Sequence, residues 1–273
     1  LRDVIFRGNS TSQNIFAPLD ERLVSIEAII MNYLIGTKLK EGVMKDYFKS
    51  FIAWDYPYLA PQSAQVINRC NINGVITNLS FDSLPPLFLW NAPFGNSVML
   101  RVLQTPPTFR NFQEIKKWAH LSHEGLSSLI PETDVLVLEN TESYPNLKIL
   151  PNLKNEIPPF NIQGNGASEF FDDIKNFISE QGIKNIPSIF QPVYSKEKLS
   201  ELSSNALLHT CLYTFEEKLV QSQIMSTIAG TLGMTYPGEV IARLWSLLLQ
   251  AANPMIINMT LTEHEYMTIL SQL

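Results

Sequence analysis

The chain has 273 residues, enough for one large domain or two small ones, and only 17% of them are charged, against roughly a quarter in an ordinary soluble domain. A net charge of −6 argues against a protein whose main task is wrapping phosphates, which needs an excess of Lys and Arg. No stretch reaches the roughly 18 uninterrupted apolar residues of a membrane span, because the best one, 241–257, is broken by Arg243, Gln250, Asn253 and Pro254.

In chain order, residues 1–16 read as an extended N-terminal arm with an anchoring patch at Val4, Ile5 and Phe6. A first helix is expected after Pro18, with Asp20 and Glu21 suited to its positive end, running through Leu23, Ile26, Ile30, Tyr33 and Leu34 to Gly36. Residues 38–54 read as a second helix, with Leu39, Val43, Tyr47, Phe48, Phe51 and Ile52 on one side and Lys38, Lys45 and Lys49 on the other. Those three lysines are the candidate contact for a nucleic-acid backbone, although a solvated helix face has the same pattern. Residues 62–70 form a short helix, and Asn73-Gly74 beside Val75-Ile76 marks a short strand or hairpin.

Residues 81–94 combine Pro85, Pro86 and Pro93 with Leu87, Phe88, Leu89 and Trp90. An irregular segment this apolar is stable only when covered. Either it lies at a subunit interface, with Leu87, Phe88 and Trp90 as the contacts, or it is a buried loop beneath a helix of its own chain. Residues 98–103 alternate around Arg101 and are the best strand candidate. A helix over 110–129 carries His120 and His123 beside Glu124, but this order is not the HExxH of zinc proteases, and no Cys or Asp cluster offers further ligands. Neither a metal nor any other cofactor is expected.

A short strand is expected at 134–138. The character then changes: between 140 and 166 the chain is punctuated by Pro145, Pro151, Pro158 and Pro159 and ends at Gly164-Asn-Gly166. It reads as a protruding, arm-like insertion anchored by Leu147, Ile149, Leu150, Leu153 and Phe160, or else as a mobile surface loop. An amphipathic helix follows over 168–180, stopped by Gly182. The segment 193–252 has the most continuous helical pattern, with apolar residues every three or four positions from Leu199 to Ile228, a stop at Gly230 and Gly233, and a second helix after Pro237. It reads as an αα-hairpin and the core of the molecule. Thr262 and Glu265 make a capping box ahead of Tyr266, Met267, Ile269 and Leu270, which marks a docking C-terminal helix.

The expected fold is therefore mainly α: a single helical domain with a few short strands. It divides into the arm at 1–16, a helical shell part at 17–139, the insertion at 140–166, and a helical core at 167–273 that includes the hairpin. No GxSxG, no Cys with a partner His, no DxD pair and no Walker or Rossmann loop is present, so catalysis is not expected. Cys70 and Cys211 read as two buried thiols of a reducing compartment.

With its proline-rich apolar connection at 84–94, its Asn/Pro-rich insertion at 140–166 and its N-terminal arm, the chain resembles in overall character the capsid proteins of small double-stranded RNA viruses. These are the partitivirus-like group that includes the cryspoviruses. The resemblance implies a viral structural protein of the virion, assembled in the host cytoplasm as dimers within an icosahedral shell, with genomic RNA and a viral polymerase inside. It implies no residue-level site and no membrane. Two rivals share the low charge. A cellular helical adaptor or scaffold subunit would pair with a different protein, and a single-stranded RNA nucleoprotein would gather Lys38, Lys45 and Lys49 with Arg101, Arg110, Lys116 and Lys117 on one concave face.

Overall fold

The computed structural model describes residues 15–41, 50–53, 56–78, 85–92, 95–102, 117, 167–181, 186–194 and 206–253. The elements are, in order, α1 (Ile26–Glu41), β1 (Ser50–Ala53), β2 (Tyr58–Leu59), α2 (Ser63–Arg69), β3 (Gly74–Thr77), β4 (Leu87–Asn91), β5 (Ser97–Val102), α3 (Ala167–Gln181), β6 (Ser188–Ile189), β7 (Val193–Tyr194), α4 (Ala206–Thr231) and α5 (Gly238–Ala251). Five strands form one sheet in the order β1-β3-β5-β4-β6, while β2 and β7 pair separately. Strands β1, β3 and β5 run parallel, β4 lies antiparallel to β5, and β6 runs parallel to β4.

Helices cover both faces of the sheet, and the strands show why. Val75 and Ile76 of β3 are both fully buried and point to opposite sides. Ile76, Leu87 and Met99 pack on Ala167, Phe170, Phe171 and Ile174 of α3. Val75, Phe88, Trp90, Val98 and Leu100 pack on Ile29 and Tyr33 of α1 and Ala64 and Ile67 of α2. Gly74 permits the α3 contact, since a Cβ there would lie 2.2 Å from the Phe171 ring. Leu19, Ala28 and the buried residues of α4 and α5, Trp245 among them, make a further core.

The mainly helical single domain expected from the sequence is overturned: the fold is α/β. The strands are short, and a strand covered on both faces shows no alternation of apolar and polar residues. Residues 50–53 illustrate this, because Phe51 and Ile52 continue the helical spacing of Val43, Tyr47 and Phe48, yet the segment is β1, hydrogen-bonded in register with β3. The apolar run after Pro85-Pro86 is strand β4, as both prolines precede the first ladder residue.

The hairpin is present, with a buried base and an exposed tip. Leu212 and Leu219 of α4 are buried, and so are Ile241, Trp245, Leu248 and Leu249 of α5. Ile224 and Ile228, which the spacing assigned to the same buried face, are half exposed, because the helix runs on past Val220, the last of its residues packed in that core. Glu216 joins base to sheet layer: its carboxylate accepts from the Ser25 N–H at 3.3 Å and from the Ser25 hydroxyl, just ahead of α1.

Candidate functional site

The segment entering α1 supplies Asp20, Glu21 and Arg22, three adjacent charges with separate tasks. Asp20 Oδ1 accepts from the Arg22 backbone N–H at 3.1 Å and from its Nε at 2.8 Å, while Oδ2 pairs with the outer guanidinium nitrogen at 2.5 Å. This bidentate clamp closes a tight local turn and holds the guanidinium in one orientation. The clamped cation lies 5.8 Å from the centre of the Tyr58 ring, a cation–π distance. Tyr58 stacks on its cross-strand partner Tyr194, with centroids 6.2 Å apart and planes 19° apart. Both rings are half-buried, so the row Arg22–Tyr58–Tyr194, a shelf of one cation and two rings, keeps part of its surface open to solvent.

Glu21 turns the other way. Its Oε2 accepts from the Ala60 N–H and the Ser63 hydroxyl, both at 2.5 Å, which ties the segment before α1 to the first turn of α2. Burial pushes the carboxyl up to about 7, against the pull of those two hydrogen bonds, and the nearby Asp20 charge adds to the rise. Tyr33 and Tyr56 behind it are held well above the usual phenol range, first by burial and then by the Glu21 charge. The Tyr56 hydroxyl donates to the Ala17 carbonyl at 3.4 Å. Glu21 is thus an inward support, engaged with backbone and not offered to a ligand, and Asp20 is occupied by Arg22. The arrangement is suited to holding a flat, partly apolar molecule.

Tyr58 follows the carboxyl end of a parallel strand in the chain. β2 begins shortly after the carboxyl end of β1, and Thr77, at the carboxyl end of β3, donates to the Ala53 carbonyl at 3.0 Å. In α/β sheets the carboxyl ends of parallel strands are where ligands bind.

Residues singled out from sequence are distributed otherwise. Leu87, Phe88 and Trp90 lie fully buried in β4, inside this chain's own core, and the Trp90 indole donates to the Gln191 carbonyl at 2.9 Å. Lys38 is exposed in the last turns of α1. Arg101 is buried and donates to the Pro86 and Val102 carbonyls, so it faces no groove. Val4, Ile5, Phe6, Lys45, Lys49, Leu147, Ile149, Leu150, Leu153 and Phe160 lie outside the described residues, as do His120 and His123. Among the described residues, no three His, Cys, Asp or Glu side chains gather as a metal set, and no helix is long and apolar enough to cross a membrane. Sequence reasoning passed over the shelf: Tyr58 stood among punctuating prolines and Tyr194 in a distant connection, and only the β2–β7 pairing joins them.

No family model and no curated protein matches the chain. Among solved structures it is similar to an alpha-mannosidase from Enterococcus faecalis V583, with a TM-score of 0.74 at 14% sequence identity over 99% of this chain. The match covers 33% of that protein, so the chain spans about a third of its length.

Proposed function

We propose that this chain is a sugar-handling module that takes a pyranose ring on the Arg22–Tyr58–Tyr194 shelf, with α-mannosides the class to test first. The observation that supports this most is the aromatic pair: the C–H face of a sugar stacks on tyrosine rings, while a guanidinium fixed by Asp20 is a directed donor to ring hydroxyls. The likeness of fold to an alpha-mannosidase selects the sugar class by analogy. Both neighbouring carboxyls are engaged with protein groups, so the proposal is for binding and assigns no general acid to either.

The test is titration of the full chain with methyl α-mannoside, with methyl β-galactoside as comparator, followed by calorimetry and by ligand-observed NMR. Mannoside binding that is lost in Tyr58→Ala and Tyr194→Ala, with folding intact, is the expected result. Absence of binding to either sugar, or binding unaffected by both substitutions, would overturn the assignment.

A second reading, the self-assembling shell protein, draws support from the low charge of the chain and from the exposed apolar tip of the hairpin. Uniform closed particles in negative-stain electron microscopy are its expected result, and monomers or small oligomers would remove it.

A further inference from the structure

We infer that the tip of the α4–α5 hairpin is a self-association surface on which two copies of this chain meet about a two-fold axis. Ile224, Met225, Ile228, Leu232, Met234 and Val240 there are 50–80% exposed. Three of them lie in the last turns of α4, two in the turn that follows and one in the first turn of α5, so they gather at the tip of the hairpin and do not stand singly. The surface they expose is on the order of 800 Å², which is what each partner contributes to an interface of standard size.

The distribution of charge fits a second copy as the occupant. Between Lys218 and Glu239 no residue is charged, although the chain as a whole carries −6. In an isologous contact the residues nearest the axis meet their own copies, so a charge there would face a like charge, and a charge-free stretch avoids that repulsion. The midpoint of that stretch falls at Ile228. An axis beside Ile228 lays the last turns of α4 antiparallel to their own copy, sets Ile228 against itself and brings Ile224 opposite Leu232. Glu217 and Lys218 are exposed on α4 just before this stretch, where they bound the contact as a polar rim. The surface lies on the hairpin, apart from the shelf, and requires neither a bound sugar nor a closed shell.

Sedimentation velocity of the full chain from low to high micromolar concentration tests this, with Ile228→Glu and Ile228→Lys as variants. Because Ile228 is half exposed, both variants should keep the wild-type circular dichroism spectrum and melting temperature. The wild type is expected to dimerise. Each variant alone should associate more than tenfold more weakly, since like charges meet at the axis, and mixing the two should restore a dimer by pairing Glu with Lys. A monomeric wild type would overturn the inference. Dimers that persist in Ile228→Glu, or mixed variants that stay monomeric, would overturn the axis.

Discussion

Replacing Glu21 by Gln isolates the buried carboxyl that underlies the shelf. The carboxyl is raised from 4.5 to about 7 in the folded chain, so between those values the native state holds a proton that the unfolded state has released. Stability from this group is therefore complete below pH 4.5 and declines as pH rises, until it is gone above about 7. At about 1.4 kcal/mol per unit, the full change is on the order of 3 kcal/mol, of which roughly 2 to 3 falls between pH 5 and 8. Gln keeps an oxygen for the Ala60 N–H and the Ser63 hydroxyl and does not titrate. Urea unfolding of both proteins, followed by tryptophan fluorescence across that range, should show wild type losing roughly 2 to 3 kcal/mol relative to the variant as pH rises. Subtracting one curve from the other removes the titration of distant groups. Parallel curves, agreeing within about 0.5 kcal/mol at every pH, would refute the reasoning and mean that Glu21 is solvated in the folded state.

Gly74→Ala should cost about 3 kcal/mol or more, because the new methyl meets the Phe171 ring and an overpacked core strains rotamers and backbone; adding Phe171→Leu should recover part of the loss in a double-mutant cycle. Asn32→Ala removes the side chain that accepts from the Phe16 and Ala17 N–H groups and donates to the Ala17 carbonyl. Leaving these buried groups without that partner should cost about 3 kcal/mol by urea denaturation, and a loss below about 1 kcal/mol would show that water reaches them. Glu216→Gln weakens the carboxylate's grip on Ser25 at the start of α1 and should lower stability by about 1 kcal/mol, measured as a lower melting temperature with the spectrum unchanged.

How much of this was legible before the structure depends on the length of the element. Helices α3 and α5 and the hairpin turn carry their own signals in Gly182, Gly233 and Pro237, and the expected ranges match them closely. The short helix at 62–70 and the strand at 98–103 were also readable, although the strand is buried at four successive positions and does not alternate as expected. The sheet was not. β3 is four residues buried on both sides, and no local pattern says that 50–53 will pair with 74–77. The expectation that the hairpin is the centre of the molecule came from its apolar spacing, which does not reveal where a covering surface stops. The shelf was hidden for a related reason, since Asp20 and Glu21 look like ordinary helix-start acids until one is seen turned toward Arg22 and the other toward Ser63.

The edge strand β6 bears on how the chain reaches this state. Its two residues pair with β4 through Leu89↔Ser188 and Trp90↔Ile189, so the contact closes a loop of on the order of 100 residues, at an entropic cost of about 4 kcal/mol before any bond rewards it. The α4–α5 hairpin and the β4–β5 hairpin close over short distances and should form early, whereas β6 should arrive late. Until it does, the open side of β4 presents unpaired backbone beside Phe88 and Trp90, a template for any other strand in solution. Refolding yield should then fall with protein concentration through intermolecular strand pairing at β4, and a synthetic peptide spanning 186–194, added during refolding, should compete for that edge.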